Sequence, residues 1–245
     1  SFRRPQALVI LKAYENGKPA TYDNMKKTIS SIFKVGLDEG YLENNPFTGI
    51  ADLNDERKLK VIFTKEQETK LRALMREIRY YELELAAMLS SQYYLSTKEL
   101  LGIRREHFHP DMSKIYLPKN YVPGFDTPVK DIVPDELRLL LKEIGVADLK
   151  SKMYVLGQTE KRRGSGFING LWQKFKEKDR AMGANQTLAH KQILIDGQSF
   201  TTFKDTAVYK QLKSEDFMRV HAKLRNKKLS TTKGYLEALG FTIET

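Results

Sequence analysis

The stretch from Tyr80 to Ile103, YYELELAAMLSSQYYLSTKELLGI, constrains this chain most. Leu83, Leu85, Ala87, Met88 and Leu89 spread apolar side chains over more of a helical cylinder than the single stripe of a surface helix. A helix of this composition has to be central, so other elements must cover it on several sides. The flanking sequence supplies them. Thr64, with Glu66 and Gln67 downstream, is an N-terminal capping signal for a helix over KEQETKLRALMREIR. After the Pro110-Asp111 turn the pattern becomes extended: KIYLP and TPVKDIVP read as two short strands joined by the turn-rich KNYVPGFD. Helical spacing returns at DELRLLLKEIG and persists to the C-terminus, apart from loops around 157–166 and 183–198.

The N-terminal segment is helical as well. Met25, Ile29, Ile32, Phe33 and Val35 recur at helical spacing, Thr21 or Asp23 can cap the start, and Asn45-Pro46 breaks the chain. The polar NDERKLKVIFTKEQ that follows lacks sustained periodicity and suits a connector. The expected organisation is a helical domain over 1–50, a linker over 51–62, and a larger domain over 63–245. The fold class is mainly α, with one small antiparallel sheet inserted after the central helix.

Charge and composition narrow the function classes. The chain carries 42 Lys and Arg against 31 Asp and Glu, a formal charge of +11 spread along its length, which favours a polyanionic partner. It has no Cys, which removes disulfides, thiolate catalysis and Cys-based zinc sites together. Of its four His, only His107 and His109, with Asp111, could suggest a metal site. Their two-residue spacing before a Pro-Asp turn reads instead as a solvated loop. No apolar run approaches membrane-spanning length, and SFRRPQALVI lacks the pattern of a signal peptide. The expectation is a protein of the cytoplasm, with no membrane partner. Trp172, within the basic stretch EKRRGSGFINGLWQKFKEKDR (160–180), reads as core, and the charged residues around it as a candidate contact surface.

Several segments, taken in order, carry a resemblance. SFTTFKDTAVYKQL is followed by LRNKKLSTTKGY, in which a Ser/Thr-rich turn leads to Tyr235. YYLSTKELLGI and the hairpin IYLPKN precede them, and SIFKVGLDEGYLENNPF runs into an Asn-Pro near the N-terminus. This order resembles the tyrosine recombinases, the phage-integrase family. The resemblance implies a SAM-like core-binding domain over 1–50, followed by an integrase-like catalytic domain over 63–245. The first part is shorter than a complete core-binding domain, so a further helix or arm is expected outside this sequence.

The resemblance also assigns site residues. Such enzymes attack a backbone phosphate of DNA with a tyrosine oxygen, leaving a 3′-phosphotyrosine and a free 5′-hydroxyl, with no cofactor and no metal. Tyr235 matches the nucleophile and Lys119 the hairpin lysine that acts as general acid. Lys204 stands where the family has its second Arg, and Ser96, three residues before Glu99, where it has its first. Thr201 and Asn226 stand at the two imidazole-type positions. Lys204 keeps the charge but loses the bidentate grip of a guanidinium, and Ser96 keeps neither. Arg104, Arg105 and Arg225 are candidates to compensate. His221 reads as part of the helix before Leu224. The implied function is site-specific DNA recombination or integration by a divergent, bacterial or phage-derived, nucleoid-associated protein that binds double-stranded DNA and forms homo-oligomers on it. The substitutions leave open whether that activity is retained, reduced or lost. The alternative is a catalytically inactive DNA-binding accessory or regulatory protein of a mobile element.

Overall fold

The computed structural model describes residues 2–16, 19–53, 59–184 and 192–242. The chain forms two compact units, 1–58 and 59–245. His190 lies outside the described residues.

In the first unit α1 (Arg4–Glu15) packs against α2 (Pro19–Asp38). The start of α1 is marked by Pro5 in its first turn, where the missing N–H costs nothing. The second helix likewise begins on a proline, so Thr21 and Asp23 lie inside it and do not cap its start. Asp23 instead accepts a hydrogen bond from Leu53 N, 2.9 Å. Ala7, Leu11, Tyr22, Phe47 and Ile50 form the small core, with Ile29 and Phe33 against it. Ile32 and Val35, expected on the same apolar face, are exposed at 66% and 60%. The Asn45-Pro46 break is fixed by the Asn45 side chain, which donates to Ser30 O and accepts from Phe47 N, each at 3.0 Å.

The second unit is built on the central helix. Helix α3 (Lys65–Glu77) opens with the expected capping box, Gln67 N donating to Thr64 Oγ1 at 3.1 Å and Thr64 N to Gln67 Oε1 at 3.0 Å. Helix α4 (Tyr81–Tyr93) buries Leu83, Leu85, Ala86, Ala87 and Leu89, as its all-round apolar surface requires. It also buries Glu84, paired with Arg76 Nε at 2.6 Å. The helix does not continue to Ile103. Tyr94 turns left-handed (φ 52°), and a separate single turn, α5 (Thr97–Leu100), begins at Ser96. Strands β1 (Lys114–Leu117) and β2 (Val129–Ile132) pair antiparallel, with Lys114 opposite Ile132 and Leu117 opposite Val129. Helix α6 (Asp135–Glu143) follows and packs on α4. Helix α7 (Phe167–Ala184) inserts Ile168, Trp172 and Phe175 into the main core.

Three shorter helices complete the unit: α8 (Thr202–Leu212), α9 (Phe217–Leu224) and α10 (Leu229–Glu237). Among described elements α4 and α8 make the most extensive helix contact. Val208, Val220, Leu224, Leu236 and Leu239 form a satellite core around Tyr94. Among the described residues no helix is long and apolar enough to cross a membrane.

The HFHPD segment departs from its reading as a solvated loop. His109 and Asp111 are exposed and bonded to each other at 2.6 Å, but His107 is only 8% exposed. A 3₁₀ turn over Arg105–His107 folds its ring inward, where Nδ1 accepts from Arg104 N at 3.1 Å and the ring meets Tyr121 edge-on. No group of three or more potential metal ligands occurs among the described residues.

Candidate active site

Tyr235 lies on the inner side of α10 and is half-buried over the satellite core. Two features of the local sequence fix this helix. Thr232, fully buried one turn earlier, accepts a hydrogen bond from Asn226 Nδ2 at 2.9 Å and pairs with His221 Nδ1 at 2.7 Å. That hydroxyl therefore ties the end of α9 and the 225–228 turn to α10, and Leu236 and Leu239 anchor the apolar side. Asn226 thus holds the helix that carries Tyr235, while its partner His221 sits within α9, as its sequence position suggested.

The Tyr235 hydroxyl donates to Asp205 Oδ1. Asp205 is 5% exposed in the first turn of α8, and its two carboxylate oxygens receive Lys60 Nζ at 2.9 and 3.0 Å. The same ammonium lies 4.4 Å from the centre of the Tyr235 ring. Lys60 comes from the stretch expected to be linker. There it is held by its own backbone, Lys60 N donating to Ala238 O at 2.8 Å, and by Phe63 N donating to Thr206 Oγ1 at 2.9 Å. Burial raises the Tyr235 pKa well above the ordinary phenol range, and the Asp205 charge raises it further. The hydroxyl keeps its proton.

Lys204, the residue before Asp205, senses the charges of Glu99, Arg225, Asp205 and Lys60. Burial pulls its pKa below that of an ordinary lysine, partly offset by Glu99. It donates no hydrogen bond among the described residues.

Glu99 and Ser96 form a capping box: Ser96 N donates to Glu99 Oε2 at 2.5 Å, and Glu99 N to Ser96 Oγ at a long 3.4 Å. Ser96 is thus engaged as a helix cap. Arg225 approaches the other Glu99 oxygen, Nη2 to Oε1 3.6 Å. The guanidinium also donates to Tyr93 O at 3.0 Å and Tyr94 O at 3.1 Å, which closes the orphan carbonyl end of α4. The guanidinium sits 5.0 Å over the Phe125 ring, and Tyr121 of the same hairpin connection donates to Glu99 O at 3.0 Å.

The fold therefore brings Tyr235, Lys204, Ser96 and Asn226 to one region, with Glu99, Arg225, Asp205 and Lys60 as the residues that link them. Thr201 is exposed, its hydroxyl bonded to Ser199 Oγ at 2.9 Å, and Lys119 is exposed in the turn before left-handed Asn120. Neither contacts the cluster among the described residues. Arg104 and Arg105 are committed elsewhere. Arg104 donates to Tyr154 Oη at 3.0 Å, and Arg105 to Ala147 O and Phe108 O at 3.1 and 3.0 Å.

Solved structures share this arrangement of elements. The Tn1549 transposon integrase (residues 82–397), in complex with a circular intermediate DNA, matches with a TM-score of 0.68 at 13% identity, covering 96% of this chain and 81% of that one. A λ integrase (75–356) dimer bound to a COC′ core site matches at 0.66 and 15% identity over 100% of this chain and 83% of its own. The fold is that of these integrases. A λ integrase tetramer bound to a Holliday junction also matches, at 0.65 and 14% identity over 100% of this chain and 67% of that chain. Neither a family model nor a curated protein matches the chain. At 13–15% identity this likeness shows a shared fold.

Proposed function

We propose that this protein binds double-stranded DNA and breaks and rejoins one strand through Tyr235, as a divergent recombinase of a mobile or integrating element. The observation that carries the reading is a tyrosine hydroxyl, on the helix that closes an integrase fold, held in one cluster with a half-buried lysine that has donors to spare. An arriving phosphate would pair with Lys204, and attack by the Tyr235 oxygen would give a 3′-phosphotyrosine while Lys119 protonates the leaving 5′-oxygen. Thr201, exposed near the start of α8, is assigned to a phosphate contact. The +11 charge supports a polyanionic partner, and the matched Tn1549 and λ integrases are DNA complexes, λ integrase as dimer and tetramer. Assembly on DNA as a homo-oligomer, at the nucleoid, belongs to the same proposal.

One observation favours a second reading, a DNA-binding accessory protein without cleavage. Ser96 is spent as a helix cap and Arg225 on carbonyls and Glu99, so neither first-Arg position nor substitute offers a free guanidinium. Losing one preorganised donor costs about 10²–10³ in rate. Incubation with a pool of nicked duplexes of randomised sequence, followed by denaturation, separates the two. The first reading expects a covalent DNA adduct that Tyr235→Phe abolishes without loss of affinity. Binding with no adduct in the unsubstituted protein sinks it in favour of the second.

A further inference from the structure

We propose that Asp205 is the general base that receives the Tyr235 proton during strand cleavage, and that Lys60 is the residue that positions it. The inference rests on the reading of Tyr235 as nucleophile and adds the group that activates it.

A phenolic hydroxyl has one hydrogen to donate, and that of Tyr235 goes to Asp205 Oδ1. Its lone pairs are left to face an incoming phosphorus. The path for the proton is therefore in place before substrate arrives, with heavy atoms in direct hydrogen-bond contact, as a general base requires. The carboxylate is fixed from three parts of the chain: its own helix α8, the α10 tyrosine, and Lys60, whose ammonium spans both oxygens at 2.9 and 3.0 Å. Lys60 is itself pinned by the Lys60 N to Ala238 O bond at 2.8 Å, one turn beyond Tyr235. The other basic groups nearby are occupied. Glu99 is taken by Ser96 N and Arg225, and His221 Nδ1 by Thr232.

The step balances. As the Tyr235 Oη–P bond forms and the P–O5′ bond breaks, the tyrosine proton passes to Asp205 and the 5′-oxygen takes a proton from the general acid. In religation the 5′-hydroxyl returns its proton to that acid, attacks phosphorus, and the departing Tyr235 oxygen recovers its own from Asp205. Lys60 remains protonated throughout and keeps the carboxylate oriented.

The test uses the full chain and a pool of randomised nicked duplexes whose scissile phosphate carries a 5′-bridging sulfur, a leaving group that needs no acid. The rate of covalent adduct formation is followed against pH. Asp205→Asn is expected to slow the adduct about 10²–10⁴-fold near neutrality, with a deficit that narrows as rising pH ionises the tyrosine without help. Asp205→Glu should recover part of the rate. Lys60→Met, which leaves the carboxylate in place, should give a smaller loss with the same sense of pH dependence, and it carries the test if Asp205→Asn does not fold. A wild-type rate and pH profile in folded Asp205→Asn or Lys60→Met overturns the inference. So does a faster Asp205→Asn, which would make the contact a latch. An adduct that survives Tyr235→Phe, or none from the unsubstituted protein, refutes the nucleophile reading itself and the inference with it.

Discussion

Acid should unfold the larger unit through His107, and replacing that residue should remove the effect. Burial at 8% exposure lowers the His107 pKa to about 4, from 6.5, with Glu106 opposing the shift and Arg104 adding to it. The geometry agrees with a neutral ring, since Nδ1 accepts from Arg104 N and a proton there would break that bond. In the unfolded chain the imidazole titrates near 6.5, so between about pH 6.5 and about pH 4 the unfolded state binds more protons. Stability is then fully present above the unfolded value and falls as pH drops through the window, levelling below the folded one. At about 1.4 kcal/mol per pH unit the window amounts to about 3 kcal/mol, a large share of a domain's net stability. The comparison is wild type against His107→Asn, whose amide oxygen can take the place of Nδ1 without titrating. Urea unfolding of both, from about pH 7 to about pH 4, cancels the carboxylates they share. The wild type should lose about 3 kcal/mol more than the variant over that range. Parallel curves would refute the argument, whatever the variant's own stability.

Three further outcomes follow from the same packing. Arg225→Ala removes the donors from the α4 carbonyls and strips Glu99 of its partner, which should cost about 3–5 kcal/mol in urea unfolding, with Arg225→Lys recovering little because one ammonium cannot serve both. Gly102→Ala would set a Cβ 2.1 Å from Val122 Cγ1 and 3.1 Å from the Tyr121 ring, so the hairpin connection must shift; a loss of about 1–3 kcal/mol is expected, and an unchanged unfolding midpoint would show that the loop yields freely. On the proposed function, duplex affinity measured by fluorescence anisotropy should fall steeply and linearly on a log–log scale as salt rises, and Lys204→Met should flatten that slope; a response flat from the outset would exclude phosphate-dominated binding.

Much of the scaffold is legible in the sequence because it is written locally. The Thr64–Gln67 box, the all-round apolar α4, the paired strands about KNYVPGFD and the buried Trp172 each rest on residues a few positions apart. The uninterrupted helix expected over 80–103 fails for a reason that is also local. Ser96-Thr-Lys-Glu99 is itself a capping box, and it starts a new helix where periodicity alone runs on. Two features escape such reading. The burial of His107 depends on the hairpin Tyr121 arriving against it, and nothing in REHFHPD announces that. Lys60 meets Asp205 across 145 residues from a stretch whose polarity marks it as a connector, so no spacing rule could pair them.

The site is hardest to read where charge has changed place. Ser96, which the sequence resemblance sets at the first-arginine position, is a helix cap, and a guanidinium comes to this neighbourhood from Arg225 in the turn after α9. Its task there is structural. Its Nη1 and Nη2 are spent on Tyr93 O, Lys223 O, Tyr94 O and Glu99, and its Nε is buried without a hydrogen-bond partner. To grip a phosphate, Arg225 would have to release the end of α4, at a cost comparable to breaking a buried pair. Arg225 therefore acts as a strut for the Glu99 corner, and the ammonium with uncommitted donors in the cluster is that of Lys204. A point charge of this kind attracts a phosphate without fixing its orientation. On the proposed reading, alignment must then come from the protein side of the reaction, from a tyrosine oxygen already held by Asp205 and Lys60 before the DNA arrives.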